Sequence, residues 1–542
     1  MQQHFRPAGP RHTPSAVVGV VITALLTFAP VPVQSAIVTV SSTADSTGLG
    51  NGVSLREALL STESDGDLNA DVAAARTGDY GEDDEIRFAV GSGAKTLALS
   101  SALPAIRHTV LIDGTTQPGY VDVALITLDG SAAGTKVTGV SIAALSSSTI
   151  KALVVSSFNG DGIAIHEALL ADGFESGAVP PPIPPDAAVV KLIDVGSISN
   201  GGVGLRVVGG LTATRVEAAL NGADGILVDS GHEVLLESCK VHDNTGAGIR
   251  ALAAIGDPYG LRIQGAGTEI ANNVGDGVVL GDLALQSRPV SALVSDGQIH
   301  GNETGVRVRQ HDALIAYTAS TILANNIFAN RNSGLQLSTS HQIGMGDVDR
   351  RTISSNDVHH NAITGPADTC SVLNNTQSAA QVVFDGPVAG TDPSVSNLPP
   401  DPGPDLANYP DDYLCYWGAD NSERNDTQAE CLAMNNPNIP EAGGVNNHCL
   451  WNGTQCRLAW DISGREGVDA CDSSGNRIFA YINDQNADLS TQKGVAAING
   501  AYVKARRNTW GSGGATNGVY EDSGSDSRID PNDDCGSIST CP

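Results

Sequence analysis

A short motif recurs through the middle of the chain and limits its fold more than any other feature. Each copy has a polar turn, then Gly, then an aliphatic residue that opens a brief alternating run. From Leu205 to Leu335 these aliphatic residues lie 21 to 29 residues apart. A period this short holds only two or three short strands. The copies are Asn159–Ile163, Gly201–Leu205, Asn221–Ile226, Asn244–Ile249, Asn273–Val278, Asn302–Val306 and Asn332–Leu335.

Such a period predicts an all-β fold, a parallel β-solenoid in which each coil lies on the one before it. One coil cannot bury its inward side chains alone, so stacking must supply the core. The chain lacks the L-x-x-L-x-L-x-x-N frame of leucine-rich repeats, and a propeller blade needs a longer period. The Gly of each motif predicts a corner with positive φ, and the Asn predicts side chains stacked from coil to coil.

The open end of a solenoid exposes unpaired strand edges, so a cap is expected there. Ser54 and Glu57 have the spacing of a capping box at the start of the apolar run Leu55–Leu60. The sequence therefore predicts a short amphipathic helix that lies across the first coil.

Composition narrows the class of protein. The chain has 30 Lys and Arg against 60 Asp and Glu, a formal net charge of −30. Binding to nucleic acid or to an anionic membrane surface needs the opposite balance, so neither is expected as a partner. Aromatic residues make up 4% and there are 62 Gly, which disfavours a helical bundle.

The first residues predict export. Arg6 and Arg11 precede the uncharged apolar run Ala16–Phe28, and the small residues Ser35 and Ala36 follow. This order is typical of a signal peptide, and the run is shorter than the roughly 20 residues of a membrane span. We predict cleavage near Ser35 or Ala36, no membrane span in the mature chain, and a secreted or cell-surface protein.

The cysteines fall into two groups. Cys239 stands alone in an alternating apolar run, which predicts a small buried hydrophobic side chain rather than a reactive thiol. In an exported chain, the even cluster in the last third predicts up to four disulfides of open pairing. The clustered cysteines are Cys370, Cys415, Cys431, Cys449, Cys456, Cys471, Cys535 and Cys541.

Residues Val53–Ala58 read VSLREA, close to the CSLREA hexapeptide of a group of exported bacterial right-handed parallel β-helix proteins. The chain is also similar to this group in Asp84–Phe88, Leu111–Gly119 and Ala505–Gly511. Val53 stands where the group has Cys, so any disulfide built on that Cys is lost. The resemblance implies a right-handed parallel β-helix with an N-terminal helical cap.

The resemblance covers about residues 37–396 and 473–523, and the stretch between them is the cysteine-rich one. We therefore expect a C-terminal disulfide-rich insertion in a β-helix. The predicted parts are a signal peptide (1–36), a cap with the first coils (37–110), β-helix coils (111–398), the cysteine-rich insertion (399–471) and closing coils with a tail (472–542).

Fold alone does not fix the function, because right-handed β-helices include polysaccharide lyases, hydrolases, adhesins and spacers. The sequence lacks the Gly-His-Gly and Arg-x-Pro-x-x-Arg signatures of lyases and polygalacturonases. We expect an adhesin-like scaffold that binds a polysaccharide, a cell-surface glycan or a protein. The alternatives are a polysaccharide lyase or glycoside hydrolase acting on an acidic polysaccharide in a groove, and a passive spacer.

Polar residues at neighbouring turns are the candidates for catalysis, because coils in register place them about 4.8 Å apart. These are His242, Asp243, Asp276, His300, Asp349, Arg350, His359 and His360.

Two further groups are candidates for binding. Aromatic side chains in the cysteine-rich stretch suit stacking on sugar rings, and they are Tyr416, Trp417, Trp451 and Trp460. Alternating oxygen ligands suit Ca²⁺, and they are Asp65, Asp67, Asn69 and Asp71. Ala70 and Arg76 depart from the EF-hand frame at its Gly and Glu positions.

Overall fold

A computed structural model describes residues 35–143, 146–166, 189–254, 259–281, 290–310, 320–339 and 361, and mainly short strand segments between 352 and 529. The strands form three long sheets that the chain visits in turn, once in each coil. Neighbouring strands in these sheets pair in parallel, apart from two antiparallel pairs at sheet ends. The chain is thus a parallel β-helix, and the predicted fold class is confirmed.

Sheet one contains twelve strands. In chain order they are β1 (Ile37–Val40), β2 (Arg76–Thr77), β3 (Asp84–Phe88), β5 (Val110–Asp113), β8 (Thr149–Lys151), β11 (Val189–Ile193), β14 (Gly210–Thr214), β17 (Val234–Glu237), β20 (Leu261–Gln264), β23 (Ala292–Ser295), β26 (Ser320–Leu323) and β29 (Thr352–Ser354).

Sheet two also contains twelve strands. They are β4 (Lys95–Ala98), β6 (Ile126–Asp129), β9 (Leu153–Ser156), β12 (Gly196–Ile198), β15 (Glu217–Ala219), β18 (Lys240–His242), β21 (Glu269–Ala271), β24 (Gln298–His300), β27 (Asn326–Phe328), β30 (Asp357–His359), β35 (Gly467–Cys471) and β36 (Arg477–Tyr481).

Sheet three contains eleven strands. They are β7 (Val140–Ala143), β10 (Ile163–His166), β13 (Leu205–Val207), β16 (Ile226–Ser230), β19 (Ile249–Ala254), β22 (Val278–Leu280), β25 (Val306–Gln310), β28 (Leu335–Thr339), β31 (Val382–Asp385), β37 (Val495–Ile498) and β39 (Val519–Glu521).

Five strands lie outside the three long sheets. The antiparallel pair is β32 (Cys449–Trp451) with β33 (Cys456–Leu458), and the parallel group is β34 (Trp460–Ser463), β38 (Tyr502–Arg506) and β40 (Asp526–Ile529). The predicted disulfides fall on cysteines that lie outside the described residues, or whose backbone alone is described.

The core is the shared interior of the stacked coils. In β13, Leu205 and Val207 are fully buried while Arg206 lies on the outer face. Their partners in the next coil, Ile226 and Val228, continue the same buried rows. Each coil thus buries further aliphatic side chains, and each of these contributes about 1.5–3 kcal/mol to stability when it is fully buried. A single coil could not bury them by itself.

A ladder of buried asparagine side chains runs along the corner between sheets two and three, as the sequence predicts. Asn221 Oδ1 accepts the backbone N–H of Asn200 at 3.0 Å, and Asn244 Oδ1 accepts that of Asn221 at 3.0 Å. The side-chain amide of each residue donates to a backbone carbonyl, as Asn244 Nδ2 does to Ala218 at 2.9 Å. The ladder contains Asn200, Asn221, Asn244, Asn273, Asn302, Asn330 and Asn361.

Two motif residues do not belong to this ladder. Asn159 is exposed, and its side chain accepts the backbone N–H of Lys136 instead. Phe158 takes the ladder position in that coil and donates its own N–H to Asn200. In the last motif the ladder residue is Asn330, whereas Asn332 is exposed.

The motif glycines are needed for close approach, and the prediction that they have positive φ was wrong. A Cβ on Gly248 would lie 2.7 Å from the carbonyl oxygen of Gly277 and 2.7 Å from Asn273 Nδ2. From Asn200 to Asn330, the positive φ belongs to the residue before each ladder Asn, such as Leu220 at 58° and Asp243 at 57°. The ladder holds these residues in a conformation that costs roughly 1–2 kcal/mol each.

The N-terminal cap consists of α1 (Leu55–Glu63) and α2 (Ala70–Ala75), and the predicted capping box is present. Ser54 Oγ accepts the Glu57 N–H at 3.1 Å, and Glu57 Oε2 accepts the Ser54 N–H at 2.8 Å. Leu59 is 2% exposed and belongs to the same core as the first coils. Among the described residues, no helix is long and apolar enough to cross a membrane.

Candidate functional site

The outer face of sheet two carries two rows of side chains in register. In β18, Val241 faces the core, whereas Lys240 and His242 face outward. His242 pairs with Ala271 of the next coil, Ala271 with His300, and His300 with Phe328. We call this the histidine row; beside it Glu217, Lys240, Glu269 and Gln298 form a second row in the same register.

His242 is held between two carboxylates. Its Nδ1 lies 2.7 Å from Asp243 Oδ2, and its Nε2 lies 3.1 Å from Glu217 Oε1 in the preceding coil. Partial burial alone lowers the pKa of His242, but the hydrogen bonds to Asp243 and Glu217 outweigh it, so the pKa is raised. The imidazole is thereby fixed and tends toward its cationic form.

Glu269 connects the two rows in the next coils. Its Oε2 lies 3.9 Å from Lys240 Nζ, and its Oε1 lies 3.4 Å from His300 Nε2. The side chains remain open to solvent, with 59% of Lys240, 42% of Glu269 and 22% of His300 exposed. Ion pairs this exposed contribute at most about 1 kcal/mol to stability, so the cluster is available for contacts with a ligand.

His300 stacks on Phe328. The ring centroids are 4.7 Å apart and the planes are inclined by 20°. Both side chains are half-buried on the outer face, whereas Ile299 and Ile327, the residues before them in their strands, face the core. We call this pair the aromatic platform, in which two rings at successive positions of the histidine row stack on each other.

The structure brings together three of the predicted catalytic candidates and separates a fourth. His242, Asp243 and His300 belong to the same face. Asp276 lies elsewhere, at the turn before β22, where it is 7% exposed. Its Oδ1 accepts the Thr304 N–H at 3.1 Å, and Arg307 donates to the same oxygen at 3.1 Å. Asp276 therefore ties two coils together.

The other predicted catalytic residues can be placed only in part. His359 pairs with Phe328 in register, so its backbone extends the histidine row by one coil. Its side chain, and the whole of Asp349, Arg350 and His360, lie outside the described residues. Among the aromatic candidates, Trp451 ends β32 and Trp460 begins β34, with only the backbone described, and Tyr416 and Trp417 lie outside the described residues.

Glu217, Lys240, Glu269 and Phe328 were not singled out from the sequence. A signal for them exists, because His242, His300 and Phe328 each stand two residues before a ladder Asn, and Glu269 stands four before Asn273. Aligning the coils on the ladder instead of on the Gly–aliphatic step would have placed these residues side by side.

Three of the four predicted calcium ligands, Asp67, Asn69 and Asp71, have protein partners. Asp67 Oδ1 lies 2.8 Å from Arg76 Nε, Asn69 Oδ1 caps α2 through the Asp71 N–H at 2.9 Å, and Asp71 Oδ2 accepts the Gly50 N–H at 2.6 Å. In the described part of the chain, no three His, Cys, Asp or Glu side chains are grouped as metal ligands. Calcium binding stays a prediction, tested by whether EDTA lowers the melting temperature.

Cys239 is a buried, free cysteine, as predicted. Burial raises the pKa of its thiol to about 11. A thiol with so high a pKa is protonated at neutral pH and is a poor nucleophile, so it does not contribute to a reactive site.

Comparison with known proteins agrees with this fold. Residues 121–317 match the family model described as the right handed beta helix region. These residues cover the coils that carry most of the histidine row. The architecture is thus that of a right-handed parallel β-helix.

Several solved structures show a distant likeness. The AlgE6 A-module of mannuronan C-5 epimerase from Azotobacter vinelandii is 13% identical with a TM-score of 0.37, over 82% of this chain and 91% of that one. The AlgE4 A-module from the same organism is 18% identical with a TM-score of 0.33, over 63% and 93%. A periplasmic alginate epimerase is 14% identical with a TM-score of 0.30, over 56% and 70%.

Likeness at these TM-scores carries no function to this chain. No protein of curated function matches the sequence significantly. A proposal about function must therefore come from the chemistry of the exposed face.

Proposed function

We propose that the protein is an exported β-helix scaffold that binds a glycan along the outer face of sheet two. The observation that carries the proposal is the His300–Phe328 ring pair next to the rows of Glu, Lys and His side chains. Sugar rings have apolar faces that pack on aromatic rings and hydroxyl groups that hydrogen-bond to charged side chains. This face offers both kinds of contact.

The repeat geometry suits a polymeric ligand. Equivalent outward positions recur about every 4.8 Å along the face, so a chain of sugar units lying across the coils meets similar side chains repeatedly. Solenoids commonly bind partners along such extended faces. Ala219 and Ala271 stand in the histidine row on either side of His242 and are almost fully buried, so the accessible contacts of this row come from the imidazoles and from Phe328.

Charge decides which glycans fit. Glu217, Asp243 and Glu269 supply three carboxylates, against Lys240 and the imidazole of His242. The whole chain carries −30, so a polyuronate is repelled both locally and at long range. The proposed ligand is an uncharged or amino-sugar polymer, which makes an acidic polysaccharide a poor substrate for this face.

The test is binding of the full chain to a panel of uncharged, amino-sugar and uronate polymers. Phe328→Ala and His300→Ala should each weaken binding by about tenfold or more, because each removes half of the platform. Leu293→Ala is the matched control, since Leu293 is half-buried on the outer face of sheet one. Absence of binding across the panel would support a spacer, and unsaturated products from a uronate polymer would support a lyase.

The predicted export of the protein and its predicted family are part of this proposal. Export through the predicted signal peptide places the face where glycans occur, outside the cell or on its surface. The VSLREA segment supports membership in the exported β-helix group named for CSLREA. The cysteine-rich stretch 399–471 is proposed as a disulfide-linked insertion, whose aromatic residues form a second surface for sugars or a protein.

A further inference from the structure

Ala36, the second residue of the described part of the chain, is fully buried. Ala36 is 0% exposed although it precedes β1, and its carbonyl accepts the Glu85 N–H at 2.8 Å. Its own N–H donates to Asp84 Oδ1 at 3.0 Å. Ser35 is held less tightly, by a bridge to Asp79 and by a hydrogen bond from its Oγ to the Glu82 carbonyl at 3.1 Å.

Asp84 is a buried carboxylate without a basic side chain beside it as a hydrogen-bond partner. It is 1% exposed, and its oxygens accept backbone N–H groups of Ala36 and Gly81. Burial raises the pKa of Asp84, and the nearby Asp65 adds to that effect while His108 opposes it. A buried carboxylate is costly unless it is paired with a positive charge and hydrogen-bonded.

We propose that the exported chain is cleaved between Ser35 and Ala36, and that the new α-ammonium group of Ala36 forms a buried ion pair with the Asp84 carboxylate. A signal peptidase hydrolyses the Ser35–Ala36 peptide bond with one water molecule. Ser35 keeps a carboxylate on the released peptide, and Ala36 gains an amine that binds a proton at neutral pH. The nitrogen atom already lies 3.0 Å from the Asp84 oxygen.

The contacts of Ala36 favour the first of the two cleavage points that the sequence left open, after Ser35 or after Ala36. Cleavage after Ala36 would remove a fully buried residue, the donor to Asp84 and the acceptor of the Glu85 N–H. Cleavage after Ser35 keeps the burial of Ala36 and both hydrogen bonds, and strengthens the one to Asp84, since hydrogen bonds between charged groups are about twice as strong as neutral ones. Cleavage at the Ser35–Ala36 bond thus keeps every contact that Ala36 makes at the start of the fold.

The cleavage itself is tested by exporting the full chain from a bacterial host and measuring its N-terminal sequence and intact mass. The expected mature chain begins with Ala36. A mature chain that begins with Ile37, or one that retains Ser35, would overturn the assignment. Loss of glycan binding would leave this result unchanged, because the site is on another part of the molecule.

The ion pair is tested with two purified chains, one beginning at Ala36 and one at Val33. Asp84→Asn should lower the melting temperature more in the Ala36 chain, because only that chain loses an ion pair. Asp113→Asn is the control and should have equal effects in both, since Asp113 caps a turn through the Thr115 N–H. Equal effects of Asp84→Asn in the two chains would contradict the proposal.

A second measurement needs no substitution. At pH 7 the α-amine of the Ala36 chain should react with an acylating reagent at least about tenfold more slowly than that of the Val33 chain, because Ala36 is buried and its nitrogen is held by the Asp84 carboxylate. Equal rates would show that the amine is free in solution and would overturn the ion pair.

Discussion

At the scale of single residues, the molecule depends on polar side chains that are buried and fully used. Asn244 accepts from the backbone of Asn221 and donates to Ala218 and to Asn273. Each of these groups is buried, so each needs a partner inside the protein. An Asn at an exposed corner, such as Asn159, can be satisfied by water and does not need such partners.

Asn244→Ala should therefore destabilise the protein by about 3 kcal/mol, because it leaves a buried N–H and a buried carbonyl without partners. Urea unfolding followed by circular dichroism measures the change. Asn159→Ala, the control, should cost less than about 1 kcal/mol. Equal costs for the two variants would mean that the ladder adds nothing to stability.

The raised pKa of His242 predicts that its contribution to stability depends on pH. Its pKa in the folded protein is raised above the unfolded value of about 6.5. The stabilisation is therefore complete below the unfolded pKa and is lost as pH rises through the folded pKa. His242→Gln should lower the melting temperature at pH 5.5 and have little effect at pH 8.5, with His232→Gln as a control, and a pH-independent difference would contradict this.

At the scale of strands and turns, the coils approach one another so closely that some positions tolerate no side chain. The Gly before each strand of sheet three from β7 to β25 faces the carbonyl of the equivalent Gly in the next coil, as Gly248 faces Gly277. These contacts set the stacking distance at the ladder corner. Glycine is thus required there because a Cβ would have no room, and not because the residue has a positive φ.

Gly248→Ala should cost about 3 kcal/mol, because the added methyl group collides with backbone atoms that cannot move away. Gly231→Ala is the matched control, since a Cβ there would meet nothing within 4 Å. Thermal unfolding of both variants measures the difference. If Gly248→Ala is as stable as Gly231→Ala, the coils are less tightly stacked than the structure indicates.

At the scale of the whole molecule, one continuous apolar interior runs from the cap through the coils. Val53, Leu55 and Leu59 join the same core as the strands of the first coils. The cap covers an end that would otherwise expose apolar side chains and unpaired strand edges. Proteins with such open edges tend to associate edge to edge.

Leu59→Asp should detach the cap, because the carboxylate would be buried without a partner. The expected outcome is end-to-end association, seen by light scattering as species larger than wild type. Leu60→Asp places the same charge at a half-buried neighbour and should leave the protein's size unchanged. A Leu59→Asp chain with the mass of wild type would show that the cap does not guard the end.

Much of the fold could be predicted from the sequence, since the repeat period, the asparagines and the capping box are local signals. The period places aliphatic residues on one side of every short strand, and burial then forces the coils to stack. Ser54 and Glu57 start the cap helix from their spacing alone. These features follow from chemistry within a few residues of the chain.

Tertiary structure alone decided which outward residues become neighbours. Turns between strands differ in length, so His242 and Glu217 meet across coils, whereas Asp276, equally polar in sequence, pairs with Arg307 on a different side. The role of Gly248 also depends on the next coil. Sequence sets what each coil must bury, while strand register sets which side chains from separate coils share a surface.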